Sequence, residues 1–200
     1  MKDFWDERYS MQEYIYGEAP NVFFAQQLAN MEPGKLLLPA EGEGRNAVHA
    51  AQQGWTVDAF DYSTAGKQKA VQLAAKKGVS INYTIADVLS YTYPSNYYDV
   101  AALVYTHFSK AQQPLLLGKM IAALRPGGKL IMEVFHHAQI GNPSGGPQTT
   151  ELLFTETELN DHFDQLGVMV ELLAHVPTVL AEGAYHEGPA EVVRAVVYKQ

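Results

Sequence analysis

Apolar and polar positions divide the chain into short apolar runs separated by stretches of helical period. Residues 36–38, 55–60, 79–85, 98–105 and 129–135 have the length and composition of strands, and the run at 98–105 suits burial on both faces. Helical spacing covers 22–31, 45–53, 63–77 and 112–124. Ser63 stands where an N-cap is needed, Gly54 and Gly78 stand at C′ positions, and Pro114 falls in a first turn. The stretch TETE (155–158) is a capping-box pattern ahead of Leu159, Phe163 and Leu166. Two more strands, near 168–176 and 191–198, follow with no helix between them. The segments 136–150 and 182–189 read as loops. This alternation predicts an α/β fold. It would be a single doubly wound, mostly parallel seven-stranded sheet with helices on both faces and one antiparallel strand near the C-terminus. No repeat or linker breaks the 200 residues, so one domain is expected, preceded by an aromatic segment (1–20) without regular period.

Composition narrows the class of partner. The net charge of −8, with no basic run, disfavours nucleic acid, since neutralising phosphates requires clustered Lys and Arg. No apolar run reaches the roughly 20 residues that span a bilayer. Without cysteine there is no disulfide or thiolate zinc site, and a cytoplasmic setting is expected.

The candidate chemistry centres on KLLLPAEGEGRN (35–46). A short buried strand breaks at Pro39 into a loop holding Gly42 and Gly44, and a helical pattern begins at Arg45. Such glycines let backbone approach a ligand and tolerate positive φ. The second strand ends on Asp61, about 20 residues on, the spacing at which a carboxylate grips a nucleotide ribose. In parallel sheets ligands bind beyond the carboxyl ends of strands, where the glycine loop, Asp61, Asp87 and residues 105–107 all fall.

The loop also satisfies the dinucleotide pattern G-x-G-x-x-A, ending on Ala47, so an NAD(P)-binding oxidoreductase is the alternative reading. A pyrophosphate, however, would lie against a loop bearing Glu41 and Glu43. S-adenosylmethionine (SAM) has no phosphate and carries a sulfonium and an ammonium, which suit an acidic loop better.

These residues, in order, resemble the SAM-dependent class I methyltransferases of the seven-stranded, Rossmann-like class, within them the tellurite-resistance and thiopurine-methyltransferase-like branch. The resemblance spans the chain. It rests on FWDERY (4–9), YG (16–17) and PN (20–21), then EGEGRN (41–46) and DYS (61–63), then AD (86–87), YDV (98–100) and LRPGG (124–128). It implies SAM held by backbone at Gly42 and Gly44 beside Asn46, the ribose by Asp61, and adenine flanked by Tyr62 and Val88 with Asp87 on its amino group. Tyr105 to His107 would line the methyl-transfer pocket. The aromatic N-terminal segment, through Trp5, Tyr14 and Tyr16, would fold over the cofactor. One departure stands out: Leu38 and Ala40 occupy positions where many relatives carry an acid and a glycine. Glu41 is the expected substitute, binding the methionine ammonium.

Histidines 107, 136, 137 and 186 invite a metal reading, but adjacent His136 and His137 would face opposite sides of a strand, and no metal is expected. His107, directly after the fourth strand, is the candidate general base. The implied activity is methyl transfer to a small-molecule acceptor. A SAM-binding module without turnover is a further alternative.

Overall fold

The computed structural model describes residues 2–200. Six helices and seven strands follow one another as α1 (Lys2–Tyr9), α2 (Val22–Leu28), β1 (Lys35–Pro39), α3 (Arg45–Gln52), β2 (Thr56–Asp61), α4 (Thr64–Lys76), β3 (Asn82–Ile85), β4 (Tyr98–Val104), α5 (Gln113–Ala123), β5 (Leu124–Phe135), α6 (Glu156–Leu166), β6 (Met169–Ala181) and β7 (Glu187–Tyr198). The strand order is β3-β2-β1-β4-β5-β7-β6. The expected fold class is the one found, mostly parallel, with β7 antiparallel to both β5 and β6.

The chain forms two compact units, residues up to 91 with 182–185, and residues 92–181 with 186–200. In the first, β1 pairs in parallel with β2 and β2 with β3. Leu36, Leu37 and Leu38 are almost fully buried, as a strand covered on both faces requires. Ser63 caps α4 through Gly66 N–H, and Asn21 caps α2 through Phe24 N–H. In the second unit, β4 pairs in parallel with β5. Thr155 and Glu158 form the expected capping box of α6.

Several boundaries differ from expectation. The aromatic N-terminus contains a helix, α1, whose Trp5 and Tyr9 share one face and stack at 5.4 Å between ring centres. Helix α2 stops at Leu28, and the chain leaves it through a tighter turn in which Met31 N–H bonds Leu28 O. Strand β5 begins at Leu124, ahead of the glycines, because Leu124 already pairs with Tyr98 across a register shift. Strands β6 and β7 run longer than the apolar pattern suggested. Their antiparallel ladder extends to Ala181 and Glu187, leaving a tight turn where a loop was expected. The predicted loop at 136–150 contains one short 3₁₀ turn, His137–Gln139, and its end runs into a second, Thr150–Leu152. Among the described residues, no helix is long and apolar enough to cross a membrane.

Candidate functional site

In the first unit, the site grows out of the break between β1 and α3. After the buried leucines, Ala40 takes a left-handed φ of 52° in the slot where a glycine was expected. That conformation costs an L-residue of this kind on the order of 1 kcal/mol. Gly42 follows at φ 60°, and Gly44, at φ 87°, is the N-cap of α3. The loop is closed by Glu41 N–H on Phe60 O and by Gly44 N–H on Glu41 O. A Cβ at Gly44 would lie 2.5 Å from that of Ala70, and one at Gly42 would lie 2.5 Å from the Tyr9 hydroxyl. Here the missing side chains allow close packing of α4 and of Tyr9.

Gly44 has no side chain with which to cap α3, and Glu41 supplies the capping oxygen. Its Oε1 accepts from Ala47 N–H at 2.7 Å, and Asn46 adds further hydrogen bonds. Part of the residue is accessible, but the carboxylate group is enclosed. That burial pushes its pKa up to about 7, against the pull of the helix amides and Arg45. Asp61 ends β2 almost fully buried and accepts from Gly42 N–H at 3.2 Å and Ser63 N–H at 2.8 Å. Burial raises it to about 6. The Tyr83 phenol donates to Gly42 O at 2.6 Å, so the loop is gripped from both sides.

The second loop glutamate behaves differently from the sequence reading. Glu43 was expected to face a ligand and repel phosphate. Instead it is buried, pairs with Lys69 at 2.7 Å and accepts Ile15 N–H at 2.9 Å. A carboxylate this enclosed requires a cation and donors, and Lys69 on α4 provides the charge. Glu43 therefore ties the aromatic segment to the loop, and its charge is neutralised within the protein.

The other predicted contacts fall as follows. Asn46 Oδ1 accepts Asn21 N–H at 2.9 Å, fixing the start of α2. The Tyr16 phenol accepts from Arg8 at 3.0 Å, and its carbonyl accepts from Arg45 at 3.2 Å. Tyr62 is partly buried, and burial with the nearby Asp61, Asp87 and Asp6 charges pushes its phenol to about 12. Asp87 is exposed, and its Oδ1 closes a turn on Leu89 and Ser90 N–H; the neighbouring Val88 is buried. Tyr14 packs on α4 through a 3.0 Å bond to Lys69 O.

Three participants were not assigned contacts from sequence. Tyr9 is buried against the loop, and its α1 spacing from Trp5 was the available signal. Asp6 accepts from the Ser63 hydroxyl at 2.6 Å and from Thr64 N–H at 2.9 Å, docking α1 on the start of α4. Glu182, from the β6–β7 turn, pairs with Arg45 at 2.8 Å and with Asn21 at 3.0 Å, which no local pattern announces.

In the second unit, Tyr105 and His107 follow β4. Tyr105 takes φ 50°, and its ring stacks on Phe135 at 4.7 Å. His107 is partly buried, 6.3 Å from the Phe135 ring. The rings of His136 and His175 stack at 3.8 Å. Among the described residues, no group of three or more histidines and carboxylates could hold a metal ion.

This strand order defines the fold of the seven-stranded, Rossmann-like methyltransferases. Residues 39–128, from the end of β1 to the start of β5, match the family model described as a methyltransferase domain. No curated protein matches the chain by sequence. Solved structures match it throughout. One, described for the conversion of a disulfide bond into a thioacetal group during echinomycin biosynthesis, is 17% identical with a TM-score of 0.82, over 100% of this chain and 92% of the other. TehB from Haemophilus influenzae is 15% identical with a TM-score of 0.75, over 100% and 67%. The [4+2]-cyclase SpnF is 14% identical with a TM-score of 0.73, over 99% and 94%. At such identities these likenesses establish the fold.

Proposed function

We propose that the protein is a SAM-dependent methyltransferase acting on a small-molecule acceptor. The observation that carries this reading is the hydrogen bond from Ala47 N–H to Glu41. A dinucleotide places its pyrophosphate on the amides of the helix that follows the glycine loop. Here a carboxylate of the chain already holds that helix end, so an incoming phosphate would meet a like charge. An ammonium would meet an opposite one. The residues present fit SAM better than NAD(P).

On this reading Glu41 orients the ammonium, Asp61 accepts from the ribose diol, and Tyr62, Asp87 and Val88 receive the adenine. Tyr16, Gly42, Gly44, Asn46 and Tyr105 complete the cofactor contacts. When bound, SAM supplies an electrophilic methyl group. The chain's own part is to align the acceptor and exclude water, with the α1 aromatics as cover. His107 is the acceptor-side base, required only where the acceptor arrives protonated. Metalloid oxyanions, thiols and small hydroxylated metabolites are the acceptor classes to try, the first favoured by the tellurite-resistance resemblance. The acidic, cysteine-free composition supports a cytoplasmic setting.

Thermal shift with SAM, S-adenosylhomocysteine and NADH tests the cofactor. A ligand at 100 times its Kd raises stability by about 2.7 kcal/mol. Protection by NADH and none by SAM would overturn the proposal. Methyl incorporation across an acceptor panel then separates transfer from binding without turnover, a separation the fold itself does not make.

A further inference from the structure

Helix α1 carries a guanidinium that the protein leaves without a carboxylate. In the same unit Lys2, Arg45, Lys69 and Lys76 pair with Asp6, Glu182, Glu43 and Glu18. Arg8, partly exposed, gives a single hydrogen bond, from Nη1 to the Tyr16 hydroxyl at 3.0 Å, and among the described residues no carboxylate meets it. Acidic residues outnumber Lys and Arg by 22 to 14, so partners were not scarce. What surrounds Arg8 instead is aromatic. Its guanidinium carbon lies 4.4 Å from the Phe4 ring centre, 4.7 Å from that of Tyr185 and 5.5 Å from that of Trp5. Phe4 and Trp5 stand one turn earlier on α1, Tyr185 belongs to the β6–β7 turn, and all of them lie in the first unit.

Ring contacts hold a guanidinium in place without using its N–H donors, and Tyr16 takes only one of the five. Among the described residues no Arg8 nitrogen is both enclosed and unpaired, so the remaining donors open to solvent. Beside them Phe4 and Tyr185 keep 50% and 42% of their surface exposed. Open donors flanked by exposed rings make a surface that is apolar and cationic at once, the kind that marks a binding site rather than a solvated face. Its position is also telling. The neighbouring Tyr9 lies against Gly42, and the Tyr16 carbonyl accepts from Arg45 at the start of α3, so Arg8 stands on the segment that covers the glycine loop.

Resting on the methyltransferase reading, we propose that Arg8 is an anion subsite and that the methyl acceptor carries a carboxylate on a planar, apolar body. The guanidinium takes the carboxylate, and Phe4 and Tyr185 take the body. A guanidinium fork matches a carboxylate with two parallel N–H···O bonds, a fit that an ammonium cannot reproduce. Held between rings, Arg8 is already oriented for it, so little side-chain freedom is lost on binding. The acidic surface of the chain repels anions in general, which makes a local unpaired cation the means of selecting one.

The test uses the full chain with S-adenosylhomocysteine present and two matched pairs of probes, catechol with 3,4-dihydroxybenzoate and thiophenol with 4-mercaptobenzoate. The members of each pair differ by one carboxylate. Calorimetric titration is expected to show the carboxylate member binding about tenfold tighter or more, as a charge-assisted hydrogen-bond pair implies. Arg8→Gln should bring that ratio to within about twofold of one. Arg8→Lys keeps the charge but loses the two-pronged fit, so its ratio should fall between the two. With SAM in place of S-adenosylhomocysteine, kcat/KM for methyl transfer should show the same ratios. Equal binding of both members by the parent protein, or a ratio undiminished in Arg8→Gln, would overturn the subsite. A preference in binding that kcat/KM does not share would overturn its role in acceptor choice. Should neither SAM nor S-adenosylhomocysteine bind, or no probe be methylated, the methyltransferase reading falls, and the binding ratios of parent and Arg8→Gln still decide the subsite by themselves.

Discussion

Glu41 is predicted to make apo stability and SAM affinity move in opposite directions with pH. Burial moves its carboxyl from an ordinary 4.5 to about 7. A group whose folded pKa is raised contributes stability that is fully present below its unfolded pKa and lost as pH climbs through the folded one. The window for Glu41 is therefore about pH 4.5 to 7. A shift of this size corresponds to about 3 kcal/mol, of which roughly 2 kcal/mol falls between pH 5 and 8. Asp61, raised from 3.8 to about 6, acts in the same sense at the lower end of that range. The apo protein should lose stability between pH 5 and 8, and Glu41→Gln, still able to accept from Ala47 N–H, should flatten the slope. For a chain of this length the variant's Tm at pH 8 should exceed the parent's by about 5 °C.

Cofactor binding should run the other way. An ammonium is held by the ionised carboxylate, and a group titrating near 7 goes from about a tenth to about nine-tenths ionised between pH 6 and 8. The SAM Kd of the parent protein should thus tighten about tenfold over that interval, while that of Glu41→Gln stays flat and weaker at pH 8. Differential scanning fluorimetry gives the first quantity and calorimetry the second. Equal pH slopes for parent and variant in the Kd series would remove Glu41 as the ammonium ligand. Equal slopes in Tm would show that its carboxyl is not the group that titrates.

Other changes probe the frame around it. Gly44→Ala combines a positive φ with a clash against Ala70 and should cost about 3 kcal/mol or more in urea unfolding. Lys69→Met strands the buried Glu43 and should cost about 3–5 kcal/mol, with Glu43→Gln in the same chain recovering more than half; no recovery would mean that Lys69 matters through packing. Thr155→Ala removes one arm of the α6 capping box and should cost about 1 kcal/mol without altering the SAM Kd.

The parallel core was legible because it is written in local pattern. Leu36 to Leu38 and the run at 98–105 are too apolar for any position but a covered strand, and Ser63, Gly78 and Thr155 mark helix ends by chemistry that acts over three or four residues. Helix α1 was missed because its period is carried by Trp5 and Tyr9, with charged residues between them. Its stability comes from contacts with residues distant in sequence, Asp6 on Ser63 and Tyr9 on Gly42. The length of the β6–β7 hairpin escaped for a similar reason. Its far end is held by ladder pairing that runs down to Ala181 with Glu187 through polar and small residues, which carry no apolar period.

The two loop glutamates show where sequence chemistry stops. Read as letters, Glu41 and Glu43 were two negative charges facing a ligand, and only the place of Glu41 beside the missing first-strand acid singled it out for the ammonium. In the fold they differ by whether a cation reaches them. Lys69 reaches Glu43 and makes it a strut between the loop and Ile15. Among the described residues no such ion pair neutralises Glu41, whose carboxylate is held by helix amides and titrates near neutrality. A strut and a titratable capping group place opposite demands on a substitution. Loss of Glu43 should cost stability at neutral pH, because it strands the Lys69 ammonium. Loss of Glu41 should add stability at high pH and remove affinity for a cation there. The acidity of the loop thus argues for SAM through one residue of the two, and the case against a pyrophosphate rests on where that residue points.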